Sequence, residues 1–208
     1  MASGRGRSAA PCGLRGVDVL IGVEREYGGL GRALGIQFIR GRDDSPPPPS
    51  VIAATVIALN GLLTGAVGTT ILVAEFDKTL DPSMQISPLV AKNLTYFFGH
   101  MFSNMILYLA AAAVYVMVPR YCGRQWKTTR PLAIAWLGTL VFLVTAYGHH
   151  LYMDFVEPRW IQYVSQATSY MAALPVAVIT IYTGVMLIWG SRYRWTLAST
   201  FLYLGFAG

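Results

Sequence analysis

Uncharged, predominantly apolar residues run without a break through four stretches: Val51 to Ala74, Leu94 to Val118, Pro131 to about His150, and about Tyr163 to Gly190. Each reaches the roughly 17 to 25 residues that a helix needs to cross a bilayer. A fifth stretch starts at Trp195 and is cut off at Gly208 after 14 residues, short of a span. The pattern predicts an all-α polytopic transmembrane helix bundle with four complete spans plus a truncated fifth, occupying residues 51–208.

Composition agrees: 54% hydrophobic against 12% charged residues excludes a soluble domain of this size. Charge alternates between the apolar stretches. Glu75, Asp77 and Asp81 outweigh Lys78 after the first, and Arg120, Arg124, Lys127 and Arg130 follow the second. Asp154 and Glu157 outweigh Arg159 after the third, and Arg192 and Arg194 follow the fourth. The positive-inside rule makes the basic loops and the N-terminus cytoplasmic. Residues 1–50 are rich in arginine and glycine and end in Pro46–Pro49, which favours an extended linker, so a disordered segment is expected there. Its seven arginines are diluted by Asp18, Glu24, Glu26, Asp43 and Asp44, and no recognition fold accompanies them, so no nucleic-acid partner is expected.

The chemistry lies in three histidines, the full complement of the chain: His100 in Tyr96-Phe97-Phe98-Gly99-His100, and the pair in Gly148-His149-His150. An ionisable side chain inside a membrane is costly and marks a functional site by default. His100 lies 20 residues before Arg120 and His149 lies 19 after Arg130. At about 1.5 Å per residue both sit roughly 30 Å from the cytoplasmic loop, near the outer face. Orientation from loop charge and depth from residue counts thus agree independently. Adjacent helical residues point about 100° apart, so His149 and His150 face one ion only if the helix frays, as Gly148 permits. Three imidazoles suit copper or zinc, with Tyr147, Tyr152 and the Phe97-Phe98 pair as an aromatic wall. The bland alternative is a set of interfacial histidines bonded to backbone carbonyls.

From Asn93 to Gly208 the chain resembles subunit I of the heme-copper oxidase superfamily, especially its B-type branch. The resemblance is carried by Tyr-Phe-Phe-Gly-His, Val-Pro-Arg-Tyr-Cys-Gly-Arg-Gln-Trp, Ala-Tyr-Gly-His-His-Leu-Tyr-Met-Asp and Ala-Leu-Pro-Val-Ala-Val. It implies that His100, His149 and His150 ligate the active-site copper facing a high-spin heme. It further implies electron delivery from cytochrome c or a quinol through a low-spin heme, other oxidase subunits as partners, proton uptake, and a bacterial or archaeal plasma membrane. Tyr115 is implied as a station of the proton path. Tyr108 continues inward on a similar face, where packing alone also accounts for it. Beyond Pro175, which should kink the fourth helix, Thr180 and Thr183 would join the path by facing Tyr115, or else bond their own helix carbonyls.

Two departures qualify the resemblance. Most oxygen reductases carry a histidine-linked tyrosine four residues after the first copper ligand, and here that position is Asn104. Asparagine hydrogen bonds but has no redox chemistry, and superfamily members that reduce nitric oxide lack the linked tyrosine, so a nitric oxide reductase is the alternative. Second, no histidine precedes 100 or follows 150, so the iron ligands of both hemes lie outside this chain, which alone is expected to be inactive. A membrane cytochrome b would use His100 and His149 and leave His150 idle. A proton-coupled transporter would place its histidines nearer the midplane.

Overall fold

The computed structural model describes residues 12–151 and 158–207. Tyr152, Asp154 and Glu157 lie outside the described residues. The elements are α1 (Cys12–Tyr27), α2 (Leu30–Ala33), α3 (Ile36–Ile39), α4 (Pro49–Leu80), α5 (Pro88–Cys122), α6 (Arg130–Ala146), a 3-10 turn (Tyr147–Leu151), α7 (Arg159–Trp189) and α8 (Leu197–Ala207). The fold is an all-α polytopic bundle. Four of its helical segments, Pro49–Leu80, Pro88–Cys122, Arg130–Leu151 and Arg159–Trp189, are long and apolar enough to cross a membrane.

Prolines set where the long helices begin. Pro49, Pro88 and Pro131 occupy the first or second helical position, where a missing N–H costs nothing and the fixed φ already suits a helix. At α6 the hydroxyl of Thr129 accepts from the Leu132 amide at 3.4 Å. The helices overrun the apolar stretches: Glu75, Asp77 and Lys78 lie on the last turns of α4, and Lys92 lies on α5. Once a helix is nucleated, each further residue adds a hydrogen bond, so it continues past the hydrocarbon until a proline or turn stops it.

Close packing joins neighbours. A side chain at Gly68 of α4 would meet the Phe98 ring of α5 at 2.7 Å, and one at Gly61 would meet the Met105 sulfur at 3.1 Å. Small residues at such positions let membrane helices approach to van der Waals contact, where no hydrophobic drive holds them together. Ile52, Met101, Leu132, Trp136 and Leu143 are fully buried at the centre.

The structure corrects the expectation for residues 1–50 over its described part. Residues 12–39 form three helices, Ala33 and Leu34 are buried, and a side chain at Gly35 would meet Ala133 and Ile52 at 3.3 Å. Arg130 lies over the Phe38 ring, 5.8 Å from its centroid, and Arg32 pairs with Asp43 at 3.4 Å. The proline run is held too, with Pro47 accepting a hydrogen bond from the Thr128 hydroxyl. Composition favoured a linker, and apolar contact with the start of α4 and α6 overrides it.

Candidate metal centre

His100 projects from the N-terminal half of α5 and is buried. His149 and His150 lie in the 3-10 turn that ends α6. The sequence allows both of these adjacent rings to face one point only if the α-helix gives way, and it does so at Tyr147. The turn rests directly on α7: a side chain at Gly148 would collide with the Ser165 hydroxyl and meet its Cβ at 2.8 Å.

The three rings converge. Ring centroids are 4.9 Å apart for His100 and His149, 5.2 Å for His100 and His150, and 4.2 Å for the adjacent pair. One nitrogen from each lies within 4.8 Å of the others, an arrangement able to hold a metal ion. His100 Nδ1 is 3.1 Å from His150 Nε2. His149 Nδ1 is buried without a hydrogen-bond partner, an orphaned donor or acceptor that folded interiors rarely tolerate. The carbonyl-bonded interfacial alternative leaves that atom unexplained.

The aromatic wall differs in part from expectation. Phe97 packs edge-on against Tyr147 at 5.3 Å, whereas Phe98 turns away to stack on Phe102 at 5.8 Å and fill the notch at Gly68. Tyr96, not singled out from the sequence, stacks on His150 at 5.8 Å with the rings 11° from parallel. Asn104 lies one turn inward from His100, its amide nitrogen 2.8 Å from the His100 carbonyl and 3.3 Å from His100 Nε2.

Further inward, Tyr108 and Tyr115 are each 4% exposed. Tyr115 Oη shares a short hydrogen bond with Thr180 Oγ1 and accepts from the Trp136 indole at 3.1 Å. Tyr108 donates to the Ala172 carbonyl at 3.3 Å, which also receives the Thr139 hydroxyl at 2.6 Å. Hydroxyls of α5 and α6 thus meet at one carbonyl of α7. Thr183 bonds the Ile179 carbonyl at 2.6 Å, so of the two threonines only Thr180 faces Tyr115. Trp136 and Thr139 escaped the sequence reading. Their spacing with Leu132 and Leu143 makes one buried stripe on α6, a signal that was available.

The family model for cytochrome c and quinol oxidase polypeptide I matches residues 45–208. The chain belongs to this family. It is also similar to cytochrome c oxidase polypeptide 1 of Halobacterium salinarum, at 22% identity over 189 residues that cover 88% of this chain. The chain spans 32% of that relative's length. The match begins at Ser45, just before the proline run, and takes in all four spans, the histidine cluster and both inner tyrosines.

Proposed function

We propose that this chain supplies the copper half of the active site of a terminal oxidase that reduces oxygen to water in respiratory electron transport. The observation that carries the reading is the convergence of His100, His149 and His150 from two elements into one cluster, on a chain of the oxidase polypeptide I family. Copper held there would supply one-electron redox chemistry and a coordination position for a small gas, and imidazole donors support both of its oxidation states. The three histidines hold the ion. The Phe97 and Tyr147 rings pack beside them, and Tyr96 fixes the His150 ring by stacking. All three histidines of the chain are committed to this cluster, so the iron ligands of the low-spin and high-spin hemes come from elsewhere in the enzyme. Other oxidase subunits and a cytochrome c or quinol donor complete it.

Tyr115 and Thr180 form a buried hydroxyl pair on the cytoplasmic side of the cluster, with the Trp136 indole donating to Tyr115, and Tyr108 stands between that pair and Asn104 on α5. Hydroxyl groups both donate and accept, so a proton passes from one to the next without a charged residue in the membrane. Tyr115 and Thr180 are the proton-conducting pair in this reading, with Tyr108 above them.

A second reading is favoured by one residue. Asn104 stands where most oxygen reductases carry the linked tyrosine, and it offers no electron or proton for O–O scission. This makes the enzyme a nitric oxide reductase of the same superfamily. Oxygen and nitric oxide consumption by the full-length enzyme, native and Asn104→Tyr, separates the two. Strong native oxygen uptake supports the oxidase. Nitric oxide uptake without oxygen uptake reassigns the enzyme.

A further inference from the structure

We infer that Trp136 is an electron donor to the metal centre: it gives, through Tyr108, the electron that Asn104 cannot, and passes its indole proton to Tyr115. This rests on the oxidase reading above, which provides a dioxygen-derived oxidant at that centre. Tryptophan and tyrosine rings yield one electron reversibly to a strong oxidant, and an asparagine amide does not. Trp136 is fully buried on α6, and its ring meets Tyr108 edge-on, with centroids 5.6 Å apart and planes at 69°. Tyr108 lies eight residues inward from His100 on the continuous α5, about 12 Å along the axis. Trp136 itself lies 13 residues before His149, about 20 Å away along α6. Electron tunnelling decays exponentially with distance, so two steps through Tyr108 outrun one from Trp136 directly. Tyr96 stacks on His150 but is 43% exposed, where a radical is open to quenching, whereas Trp136 is 0% exposed.

An indole that has lost an electron becomes a strong N–H acid, and a buried positive charge is costly, so oxidation is favoured only where a proton acceptor stands ready. The Trp136 N–H donates to Tyr115 Oη at 3.1 Å. That oxygen also bonds Thr180 Oγ1. A phenol carries a single hydrogen, so having accepted from the indole it donates to the threonine. In the step one electron leaves Trp136 by way of Tyr108 for the oxidised metal centre. The indole N–H bond breaks and its proton goes to Tyr115 Oη, as the phenol passes its own hydrogen to Thr180, along the pair that the reading above already uses to carry protons to and from the cytoplasm. Trp136 is left as a neutral radical. One electron from the enzyme's donor and one proton returning through the same pair restore it.

The test is electron paramagnetic resonance of the oxidised full-length enzyme, frozen rapidly after hydrogen peroxide has delivered oxidising equivalents to the metal centre. The native enzyme gives a radical whose hyperfine structure narrows when its tryptophans are ring-deuterated and stays unchanged when its tyrosines are. Trp136→Phe keeps a buried ring and loses the signal. Tyr115→Phe keeps the Trp136 indole but removes the oxygen that takes its proton, and it loses the signal as well, a result that packing alone does not produce. Copper and heme contents, measured on the same samples, stay native in both variants. A radical that persists in Trp136→Phe, or one that narrows only with deuterated tyrosine and disappears in Tyr96→Phe, overturns the role of Trp136. So does the absence of any radical from a native enzyme that holds copper and consumes oxygen. Copper that survives His100→Ala, or a native enzyme that consumes no oxygen, overturns the underlying reading instead.

Discussion

Thr180 and Thr183 lie one turn apart on the same helix, and only one of them does what a membrane threonine usually does. Thr183 turns back to the Ile179 carbonyl, as do Thr55 and Thr64 to carbonyls one turn before them. Thr180 instead points across to the Tyr115 hydroxyl, the departure from local habit on which the proposed relay rests. Thr180→Val leaves a buried phenol with one partner fewer, which costs about 1–3 kcal/mol of stability. In the full-length enzyme it slows proton uptake during turnover while copper content stays native. Equal turnover rates in Thr180→Val and native enzyme would remove the pair from the path. At this scale the site was largely legible. The histidines stood out because an ionisable ring in an apolar stretch requires a reason. The error at Phe98 was avoidable: at about 100° per residue it sits some 200° from His100, whereas Tyr96, one turn before the histidine, shares its face.

Among the elements, the turn at Tyr147–Leu151 carries the site. Adjacency of His149 and His150 already demanded a break in the α-helix, and Gly148 indicated where. The seat of the turn on Ser165 of α7 was not readable, because it depends on how closely two helices separated by a loop approach each other. Helix ends were similarly opaque. Apolar stretches report the hydrocarbon thickness, whereas α4 continues through Glu75, Asp77 and Lys78 because backbone hydrogen bonding has no reason to stop there. The contact of α4 with α5 is the most direct packing test. Gly68→Val drives two methyl groups into the Phe98 ring, and overpacking of this kind costs about 1–3 kcal/mol, read as a lowered midpoint in thermal unfolding of the detergent-solubilised enzyme. An unchanged midpoint would mean that α4 and α5 are farther apart than the 2.7 Å approach indicates.

For the molecule as a whole, the proposed function depends on which end of the bundle faces which compartment. Arg120, Arg124, Lys127 and Arg130 share one end with the N-terminal helices, since Phe38 lies beneath the Arg130 guanidinium. The histidines lie toward the opposite end. In the proposed orientation, with the basic end cytoplasmic, Gln125 lies inside and Ser83 outside. Single cysteines at these two exposed positions, challenged in intact cells with a membrane-impermeant maleimide, should react at Ser83→Cys and stay protected at Gln125→Cys. The reverse pattern would invert the depth of the histidine cluster. Packing of residues 12–39 against α4 and α6 is where sequence composition misled, since arginine and glycine content describes a segment's exposed surface and not the few apolar residues, Ala33 and Leu34, that tie it down. The central claim is that three histidines from α5 and the turn after α6 ligate one copper. Its most direct test is metal analysis of the purified full-length enzyme, native beside His100→Ala, with bound heme quantified in both. The account predicts that His100→Ala loses the copper of this site while its heme content remains native. Equal copper in the two preparations would contradict it.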